Sequence, residues 1–518
     1  LSAGSIRQLD PKIAAKRPLK FRAWHVSEVG QKTQSEAMAA LQMIGFKIVW
    51  WIVVVAFYIL GILAALDAIW KGRTSQGSVG WAIFLISFPY LAVPLYWMFG
   101  DRKFHGYINA RRSGDLKINN IARDLKVKFK NNDLISEDEN PDFTVIEALA
   151  RMPFTSYNKA EVLINGDATF EAIFKGIDEA QNYILVQFYK INDDKLGTTL
   201  QTKLIKKAKE GVRIYLLYDD IGCTPVPSSY METMRNNGIA VHNFKSRKGW
   251  AYRLRLNFRN HRKIVVVDGL TAYVGGLNVT DKYMGIHPKY GFWRDTHVKI
   301  EGPSVQSVQL PFISDWYWAT NQVPELNWEP TYKKDWKNNV LVLPSGPADE
   351  LETCGIFFVH AINSAKKRLW IISPYFVPDQ QVLCALQLAG LRGVDVRLMI
   401  PEKSDLLITN LSALSYLQDI TKVGIKVYRY KKGFLHQKTM LIDDDKAMIG
   451  TANLDNRSIR INFEINILFS STKFAKKMED MMIEDFANSF QITEEDYTKK
   501  PLWYKLAVKV ARLLAPIQ

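Results

Sequence analysis

The sequence predicts an α/β protein with two duplicated lobes, each a mixed sheet flanked by helices, after an amino-terminal pair of membrane-spanning helices. Two long apolar runs near the amino end predict the spans. From residue 160 onward, β-rich runs alternate with helical stretches, and the same order recurs about 180 residues later. One pattern of histidine, lysine, aspartate and asparagine occurs once in each copy. A chain of 518 residues is long enough for this division into several compact units.

The composition excludes several classes of protein. With 47% hydrophobic and 23% charged residues, the chain can bury sizeable cores, which excludes a mainly disordered protein. The 68 Lys and Arg against 52 Asp and Glu give a net charge of +16, which favours an anionic partner such as nucleic acid or an acidic membrane. The three cysteines lie far apart, which excludes a disulfide scaffold and a Cys-based zinc site and is typical of a reducing compartment.

Two uncharged apolar segments, residues 48–66 and 81–99, are each close to the length that crosses a bilayer. Both contain Trp and Tyr, which membrane interfaces favour. The alternative is a pair of buried core helices, but globular cores seldom need two such runs in quick succession. Pro89 and Pro94 would kink the second span, which membrane helices tolerate. We therefore predict a transmembrane hairpin over residues 48–100.

Positive charge predicts the orientation of this hairpin. Residues 1–47 hold eight Lys or Arg and residues 101–130 hold nine, whereas the loop 67–80 holds only Lys71 and Arg73. The positive-inside rule then places both ends of the hairpin in the cytoplasm, with the rest of the chain as a cytoplasmic mass near the bilayer.

Local patterns support the two lobes. YILVQFYKI from Tyr183 predicts a buried strand, TTLQTKLIKKAKEG an amphipathic helix and VRIYLLYDD the next strand. RLWIISPYFVP, QQVLCALQLAGLRG and VDVRLMIPE repeat this order from Arg368. An internal duplication explains the recurrence.

The predicted parts of the chain are a basic extension (1–47), the hairpin (48–100), a polar connector (101–159), the first lobe (160–335), the second lobe (336–500) and a carboxyl-terminal tail (501–518). On a helix, the tail aligns Trp503, Leu506, Val510 and Leu514 on one side and its basic residues on another. This pattern is typical of a helix lying in an anionic membrane interface. The alternative is a helix packed on the second lobe.

The candidate chemistry occupies equivalent positions of the two copies. HRKIVVVDGLTAYVGGLNVTD begins at His261, HQKTMLIDDDKAMIGTANLDN begins at His436, and the two segments align without a gap. The matched residues are His261 and His436, Lys263 and Lys438, Asp268 and Asp443, Gly275 and Gly450, and Asn278 and Asn453. Alternate residues of a strand share a face, so each copy projects an imidazole beside an ammonium. One histidine alone could simply begin a strand, but a matched pair in a duplicated framework indicates a site.

Two such half-sites facing each other suit a phosphodiester. The lysines and asparagine amides can hold the non-bridging oxygens, while one imidazole attacks phosphorus and the other protonates the leaving oxygen. Histidine suits both tasks because its ordinary pKa is about 6.5. The lysines supply the positive charge, so we predict no metal, and the other six histidines form no ligand cluster. Asp268 and Asp443 belong to the catalytic motif, although a bracing role for them is favoured.

The doubled H-x-K-x-x-x-x-D motif, followed by G-G-x-N or G-T-x-N, resembles the signature of the phospholipase D superfamily. Similarity to the bacterial cardiolipin synthases of that superfamily extends further, to RNHRK, WRDTHVKIEGP, SPYFVP, GTANLDNRS and NFE. It runs from about Ile48 to the end and leaves residues 1–45 uncovered. The resemblance implies a pseudo-twofold pair of α/β lobes with the active site between them.

The resemblance also implies an activity. A phosphatidyl group would pass between two phosphatidylglycerol molecules, giving cardiolipin and glycerol without any cofactor, at the bacterial plasma (inner) membrane. His261 and His436 would be the nucleophile and the acid/base, and the resemblance favours His261 as the nucleophile. The implied phosphate-binding residues are Lys263, Lys438, Asn278 and Asn453. Asp295 and Glu464 would orient the imidazoles, the alternative being carboxylates at exposed strand ends.

A hydrolytic phospholipase or a nuclease of the same superfamily is the alternative function, because water and a lipid hydroxyl use the same catalytic groups. Basic and aromatic residues alternate between Lys245 and Lys263, which suits anionic headgroups, single-stranded nucleic acid or an ordinary solvated loop. A nuclease gains nothing from a membrane hairpin, and a non-catalytic scaffold needs no doubled motif. We therefore predict phosphatidylglycerol and anionic membrane lipids as partners, and no nucleic acid.

Overall fold

The computed structural model describes residues 34–72, 75–100, 105–137, 141–244, 258–286, 291–404, 406–493, 496 and 498–515. The chain divides into two compact units, residues 1–100 and 101–518. Most of the predicted basic extension and most of the basic, aromatic segment between Lys245 and Lys263 lie outside the described residues.

The amino-terminal unit consists of helices α1 (Gln34–Lys71), α2 (Ser75–Ser87) and α3 (Pro89–Phe99). Its small core contains Ala64, Ala68 and Leu85. Gly61 lets α1 approach α2 closely, because a Cβ at this position would lie 2.6 Å from the carbonyl oxygen of Leu85. Close packing through small residues is typical of helices in membranes.

Among the described residues, one helix is long and apolar enough to cross a membrane, over Lys47–Lys71. The second predicted span forms two shorter helices, because Phe88 has a non-helical φ of −134° and Pro89 carries no N–H for a continuous helix. The two-span hairpin therefore stays a prediction.

The second unit begins with two helices, α4 (His105–Asn131) and α5 (Pro141–Ala150), in the segment predicted as a polar connector. The elements of the first lobe are β1 (Thr155–Ile164), α6 (Asn165–Glu179), β2 (Tyr183–Phe188), α7 (Lys195–Lys209), β3 (Arg213–Asp219), α8 (Ser228–Asn236), β4 (Ala240–Phe244), β5 (Arg259–Asn260), β6 (Ile264–Val267), β7 (Thr271–Gly275), a 3₁₀ turn (Asp281–Met284), β8 (Trp293–Arg294), β9 (Thr296–Glu301) and α9 (Ser304–Thr320).

The second lobe repeats this order. Its elements are β10 (Asn338–Ser345), α10 (Thr353–Ser364), β11 (Arg368–Ile372), β12 (Phe376–Val377), α11 (Gln380–Leu391), β13 (Asp395–Pro401), α12 (Leu407–Thr421), β14 (Lys426–Tyr430), β15 (Phe434–Leu435), β16 (Thr439–Ile442), β17 (Lys446–Gly450), β18 (Leu454–Asp455), α13 (Asn456–Arg460), β19 (Asn462–Ser470), α14 (Thr472–Ala487), β20 (Ser489–Ile492) and α15 (Leu502–Leu513). The prediction of duplicated α/β lobes is confirmed.

The strands of both lobes join in one sheet, in the order β20-β14-β13-β11-β16-β17-β19-β10-β1-β9-β7-β6-β2-β3-β4. The two halves are related about the central antiparallel pair β1 and β10, where Thr155 faces Val340. Within each half, three strands run parallel: β2, β3 and β4 in the first, and β11, β13 and β14 in the second. The duplicated order therefore produces a pseudo-twofold sheet rather than two separate sheets.

Side chains alternate across this sheet, as the period of two in a strand requires. Leu185 of β2 enters a core shared by both lobes, to which α9 contributes Phe312 and α14 contributes Met478. Its neighbour Ile184 enters a separate core on the other face, under α6, α7 and α8. Because the shared core joins the lobes, it holds their facing edges in one arrangement, and the candidate site lies at that junction.

Candidate active site

Two short strands bring each candidate histidine to the opposite lobe. β5, just before His261, pairs in parallel with the start of β19, and the backbone N–H of His261 donates to the carbonyl oxygen of Phe463 at 2.9 Å. β15, just before His436, pairs with β8 in the same way, and the N–H of His436 donates to the carbonyl oxygen of Arg294 at 2.8 Å. The duplicated motifs therefore meet across the lobe boundary.

The imidazoles and carboxylates also pair across this boundary. Nδ1 of His261 lies 2.9 Å from Oε2 of Glu464, and Nδ1 of His436 lies 2.7 Å from Oδ2 of Asp295. Both carboxylates are fully buried, so they are not exposed strand-end groups. Each lobe contributes the histidine of one pair and the carboxylate of the other, and a single lobe contains neither pair complete.

A second layer of contacts holds the two carboxylates. Oδ1 of Asp295 accepts the N–H of Thr296 at 2.8 Å, and a Cβ at Gly276 would collide with the same oxygen, which explains the glycine after β7. Oε1 of Glu464 accepts the hydroxyl of Ser458 at 2.9 Å and the amide of Asn462 at 3.1 Å. These contacts limit the rotation of both carboxyl groups.

The two lysines of the motifs are buried beside the histidines. Nζ of Lys263 donates to the carbonyl oxygen of His261 at 2.7 Å. Nζ of Lys438 donates to the carbonyl oxygen of His436 and lies 3.0 Å from Nδ1 of that imidazole. Burial lowers the pKa of Lys263 well below its usual range. The charge of Glu464 opposes this shift, whereas the charge of Lys438 adds to it. The groups from both lobes thus form one electrostatic cluster.

The two His–carboxylate pairs differ in their electrostatics. Burial opposes ionisation of Glu464, but His261 and Lys263 outweigh this effect, so the pKa of Glu464 is lowered. Burial raises the pKa of Asp295, although Lys438 partly opposes the shift. The pKa of His261 is lowered by burial against the opposing charge of Glu464. That of His436 falls well below its usual value because burial acts together with Lys438 and Lys263.

The two predicted phosphate-binding asparagines have different surroundings. Oδ1 of Asn278 accepts the N–H of Lys190 at 3.1 Å, and its Nδ2 donates to the hydroxyl of Tyr283 at 2.7 Å. The side-chain oxygen of Asn453 is buried, and no described residue hydrogen-bonds to it. The backbone N–H of Asn453 donates to Ser458, which also contacts Glu464. Asn278 therefore contacts Tyr283, whose ring lies 5.6 Å from that of His436, whereas Asn453 reaches Glu464 only through Ser458.

Asp268 and Asp443 brace the backbone instead of facing the histidines. The carboxylate of Asp268 accepts three backbone N–H groups at the start of β2, from residues 181 to 183. The carboxylate of Asp443 does the same at the start of β11, for residues 366 to 368. A full strand separates each aspartate from the histidine of its motif.

Aromatic rings that the sequence analysis missed flank the imidazoles. The ring of Tyr189 lies 5.3 Å from that of His261, and the ring of Trp293 lies 5.2 Å from that of His436. Nζ of Lys282 lies 4.6 Å from the Trp293 ring, and its charge adds to those that lower the pKa of His436. The alignment of the motifs contained a signal for Lys282, because Lys282 and Arg457 both stand four residues after the matched asparagines.

The interpretation of the basic, aromatic segment as a surface for anionic headgroups is wrong for Arg262, near its end. Arg262 is buried and pairs with Asp315 at 2.8 Å. A guanidinium held in this way supports the fold behind the site and cannot reach a lipid surface. Residues 245–257 of this segment lie outside the described residues.

Comparison with known proteins agrees with this geometry. A family model described as "Cardiolipin synthase, PLD-like domain" matches residues 173–316 and 358–486, more than half of the chain. A second model, described as an NAD-dependent DNA ligase adenylation domain, matches residues 1–76, a small part of the chain that precedes both lobes.

Curated relatives cover almost the whole chain. Cardiolipin synthase A of Pseudomonas putida is 46% identical over 465 residues, which span 89% of this chain and 96% of that relative. Cardiolipin synthase A of Pseudomonas entomophila is 44% identical over the same length and the same shares of both chains. A crystal structure of a phosphatidylserine synthase from Haemophilus influenzae shares the fold, with a TM-score of 0.56 and 16% identity over 73% of this chain and all of that one. The chain belongs to the cardiolipin synthase family of phospholipase D-like proteins.

Proposed function

We propose that this chain transfers a phosphatidyl group from one phosphatidylglycerol to another through a phosphohistidine, giving cardiolipin and glycerol. This chain belongs to the cardiolipin synthase family and shares high sequence identity with relatives named cardiolipin synthase A. Both findings support a phosphatidyltransferase that makes cardiolipin. The observation that carries the mechanism is the crosswise pairing of two histidines with two buried carboxylates beside two buried lysines.

The contacts of His261 suit a nucleophile. Because the pKa of Glu464 is lowered, its ionised carboxylate accepts the Nδ1–H of His261. This tautomer leaves the lone pair of Nε2 available for attack on phosphorus. The lowered pKa of the imidazole also keeps it neutral near pH 7, as a nucleophile must be.

The contacts of His436 suit a proton donor. Nδ1 of His436 lies 3.0 Å from the ammonium of Lys438 and 2.7 Å from Asp295, whose raised pKa favours a protonated carboxyl. Nδ1 accepts a hydrogen bond from one of these neighbours, so Nε2 carries the hydrogen of the neutral imidazole. As Nε2 gives its proton to the leaving oxygen, Nδ1 takes up the proton of Lys438 or Asp295, and the imidazole stays neutral. The electrostatic difference between the two pairs thus supports different roles for two histidines that the motifs alone leave equivalent.

The reaction then has two balanced steps. In the first, Nε2 of His261 forms a bond to phosphorus, the P–O bond to the headgroup glycerol breaks, and His436 gives its proton to that oxygen. In the second, His436 removes a proton from a hydroxyl of the second phosphatidylglycerol, whose oxygen replaces His261 on phosphorus. Lys263, Lys438 and the amides of Asn278 and Asn453 would stabilise the charge on the non-bridging oxygens. One phosphodiester replaces another, so no energy source is needed.

Product analysis tests this proposal. Purified enzyme on phosphatidylglycerol vesicles should give cardiolipin and free glycerol in equal amounts, with little phosphatidic acid and without added metal or nucleotide. Because the exchange is nearly balanced in free energy, added glycerol should drive it backwards. Phosphatidic acid as the main product would instead make the protein a hydrolytic phospholipase, since water would then be the acceptor.

The membrane arrangement is the second part of the proposal. Lys47–Lys71 would be one span, and α2 with α3, kinked at Pro89, the other, which makes this a multi-pass protein of the bacterial plasma membrane. The positive flanks of the hairpin support cytoplasmic lobes. The second phosphatidylglycerol would then reach the site by lateral diffusion within the cytoplasmic leaflet.

Cysteine labelling measures this topology. Cys384 in the second lobe is exposed, whereas Cys223 and Cys354 are buried. A membrane-impermeant maleimide should leave Cys384 unlabelled in spheroplasts and label it after permeabilisation. In a Cys384→Ser background, Gln76→Cys, an exposed position at the start of α2 just after the first span, should react in intact spheroplasts. Labelling of Cys384 from outside would reverse the orientation.

A further inference from the structure

Helix α15 docks on the second lobe with one side only. Val508 and Ala511 are buried against α12, where the hydroxyl of Ser412 donates to the carbonyl oxygen of Ala511 at 2.9 Å. The guanidinium of Arg512 pairs with Asp419 at 2.9 Å. These contacts set the rotation of α15 about its own axis, and hence which of its residues face outward.

The outward side of α15 is apolar. Its exposed members are Leu502 (83% exposed), Trp503 (70%), Leu506 (66%), Val510 (51%) and Leu513 (78%). Spacings of three and four residues place them along one stripe of the helix. Helix α15 therefore packs on the second lobe, which was one of the two alternatives for the tail. It still presents an apolar stripe on its outward side.

We refer to the five outward residues of α15 as the apolar platform. Contiguous exposed apolar surface of this kind marks an interaction site. Leu406 (51%) and Leu407 (74%), at the start of α12, are exposed as well.

The charge around the platform indicates its partner. Residues 499–515 contain four lysines and one arginine and no carboxylate. Lys505 and Lys509 lie between the apolar stripe and Arg512 around the helix, so the stripe has a cationic border. Lysines beside an apolar stripe with a tryptophan are typical of a helix seated at the headgroup boundary of an anionic bilayer.

We propose that the apolar platform is a second membrane contact, through which the second lobe rests on an anionic lipid surface. A single anchor at the amino end would leave the catalytic unit free to turn about its tether, whereas a contact on the second lobe sets its orientation. This inference rests on the proposed function only in so far as the substrate lies in the same bilayer.

Spin labels on the full-length enzyme test the contact directly. In a Cys384→Ser background, labels at Leu506→Cys and Val510→Cys are compared with one at Leu270→Cys, an exposed leucine (45%) in the first lobe. In vesicles of phosphatidylcholine with phosphatidylserine, the labels on α15 should become more accessible to oxygen and less accessible to a polar nickel complex. The label at position 270 should stay accessible to the nickel complex. This readout needs no turnover, so it stands apart from the proposed reaction.

A charge substitution links the contact to activity. Leu506→Glu with Val510→Glu should lower turnover on phosphatidylglycerol vesicles about tenfold, with the rate in detergent micelles and the melting temperature unchanged. The matched control Leu270→Glu should change neither rate. Water-like accessibility of both α15 labels in vesicles would overturn the proposal. Protection that appears without lipid and grows with protein concentration would also overturn it, by making the platform an interface between two copies of the chain.

Discussion

Replacing either site histidine should abolish cardiolipin formation. We expect His261→Ala and His436→Ala each to lower turnover by about four orders of magnitude or more, since neither the P–N bond nor the proton transfer has a substitute in the site. The fold should persist, because the side-chain hydrogen bonds of each imidazole are made within the site and contribute little to the cores of the sheet. Mass-spectrometric analysis of lipid products with matched circular dichroism spectra checks both points.

An activated substrate separates the two roles. A phosphatidyl ester of p-nitrophenol needs no proton for its leaving group, so His436→Ala should release one equivalent of nitrophenol and then stop as a phosphohistidine. His261→Ala should release none. The adduct should map to His261 by peptide analysis. A burst in His261→Ala instead would reverse the two roles, and no burst in either variant would contradict the covalent mechanism.

Neutralising the two carboxylates should have unequal effects. Glu464→Gln removes the anion that holds the Nδ1–H tautomer of His261, so we expect a loss of about 10³ to 10⁴ in kcat, the scale found when an orienting carboxylate becomes an amide. Asp295→Asn can still donate to Nδ1 of His436, as a protonated Asp295 would, and we expect a loss within about tenfold. Steady-state rates on phosphatidylglycerol micelles measure both. Equal losses would show that both carboxylates act as anions.

The pH dependence of activity gives an independent test of His261 as the nucleophile. The charge of Glu464 raises the pKa of His261, so its removal should lower that pKa further. The nucleophile must be neutral, and activity is lost as the pH falls through its pKa. The acidic limb of kcat/KM in Glu464→Gln should therefore move to lower pH while the plateau falls. A limb that moves to higher pH would contradict His261 as the group that titrates there.

Several features of the fold were beyond local sequence patterns. The sequence predicted a single span over residues 81–99 with kinks at Pro89 and Pro94, whereas the backbone breaks at Phe88 into two separate helices, because Pro89 carries no N–H for a continuous helix. The connector 101–159 looked polar, yet Leu125 and Phe129 of α4 are buried. Arg262 looked like a surface charge because its partner Asp315 stands far away in the sequence.

The sequence by itself determined the duplication, the α/β alternation and the two His–Lys motifs, because these are local patterns that repeat at a fixed spacing. Asp295 and Glu464 follow no such repeat, and the resemblance to the phospholipase D superfamily implied them. The tertiary structure alone decided which carboxylate meets which histidine. His261 and Glu464 are separated by 203 residues, and Asp295 and His436 by 141. Their contacts depend on short strands that pair across the lobe boundary. Because such pairing joins distant segments, it leaves no periodic pattern in the sequence of either segment. The lowered pKa of Glu464 and the raised pKa of Asp295 depend in turn on burial and neighbouring charges, which exist only once the lobes have closed on each other.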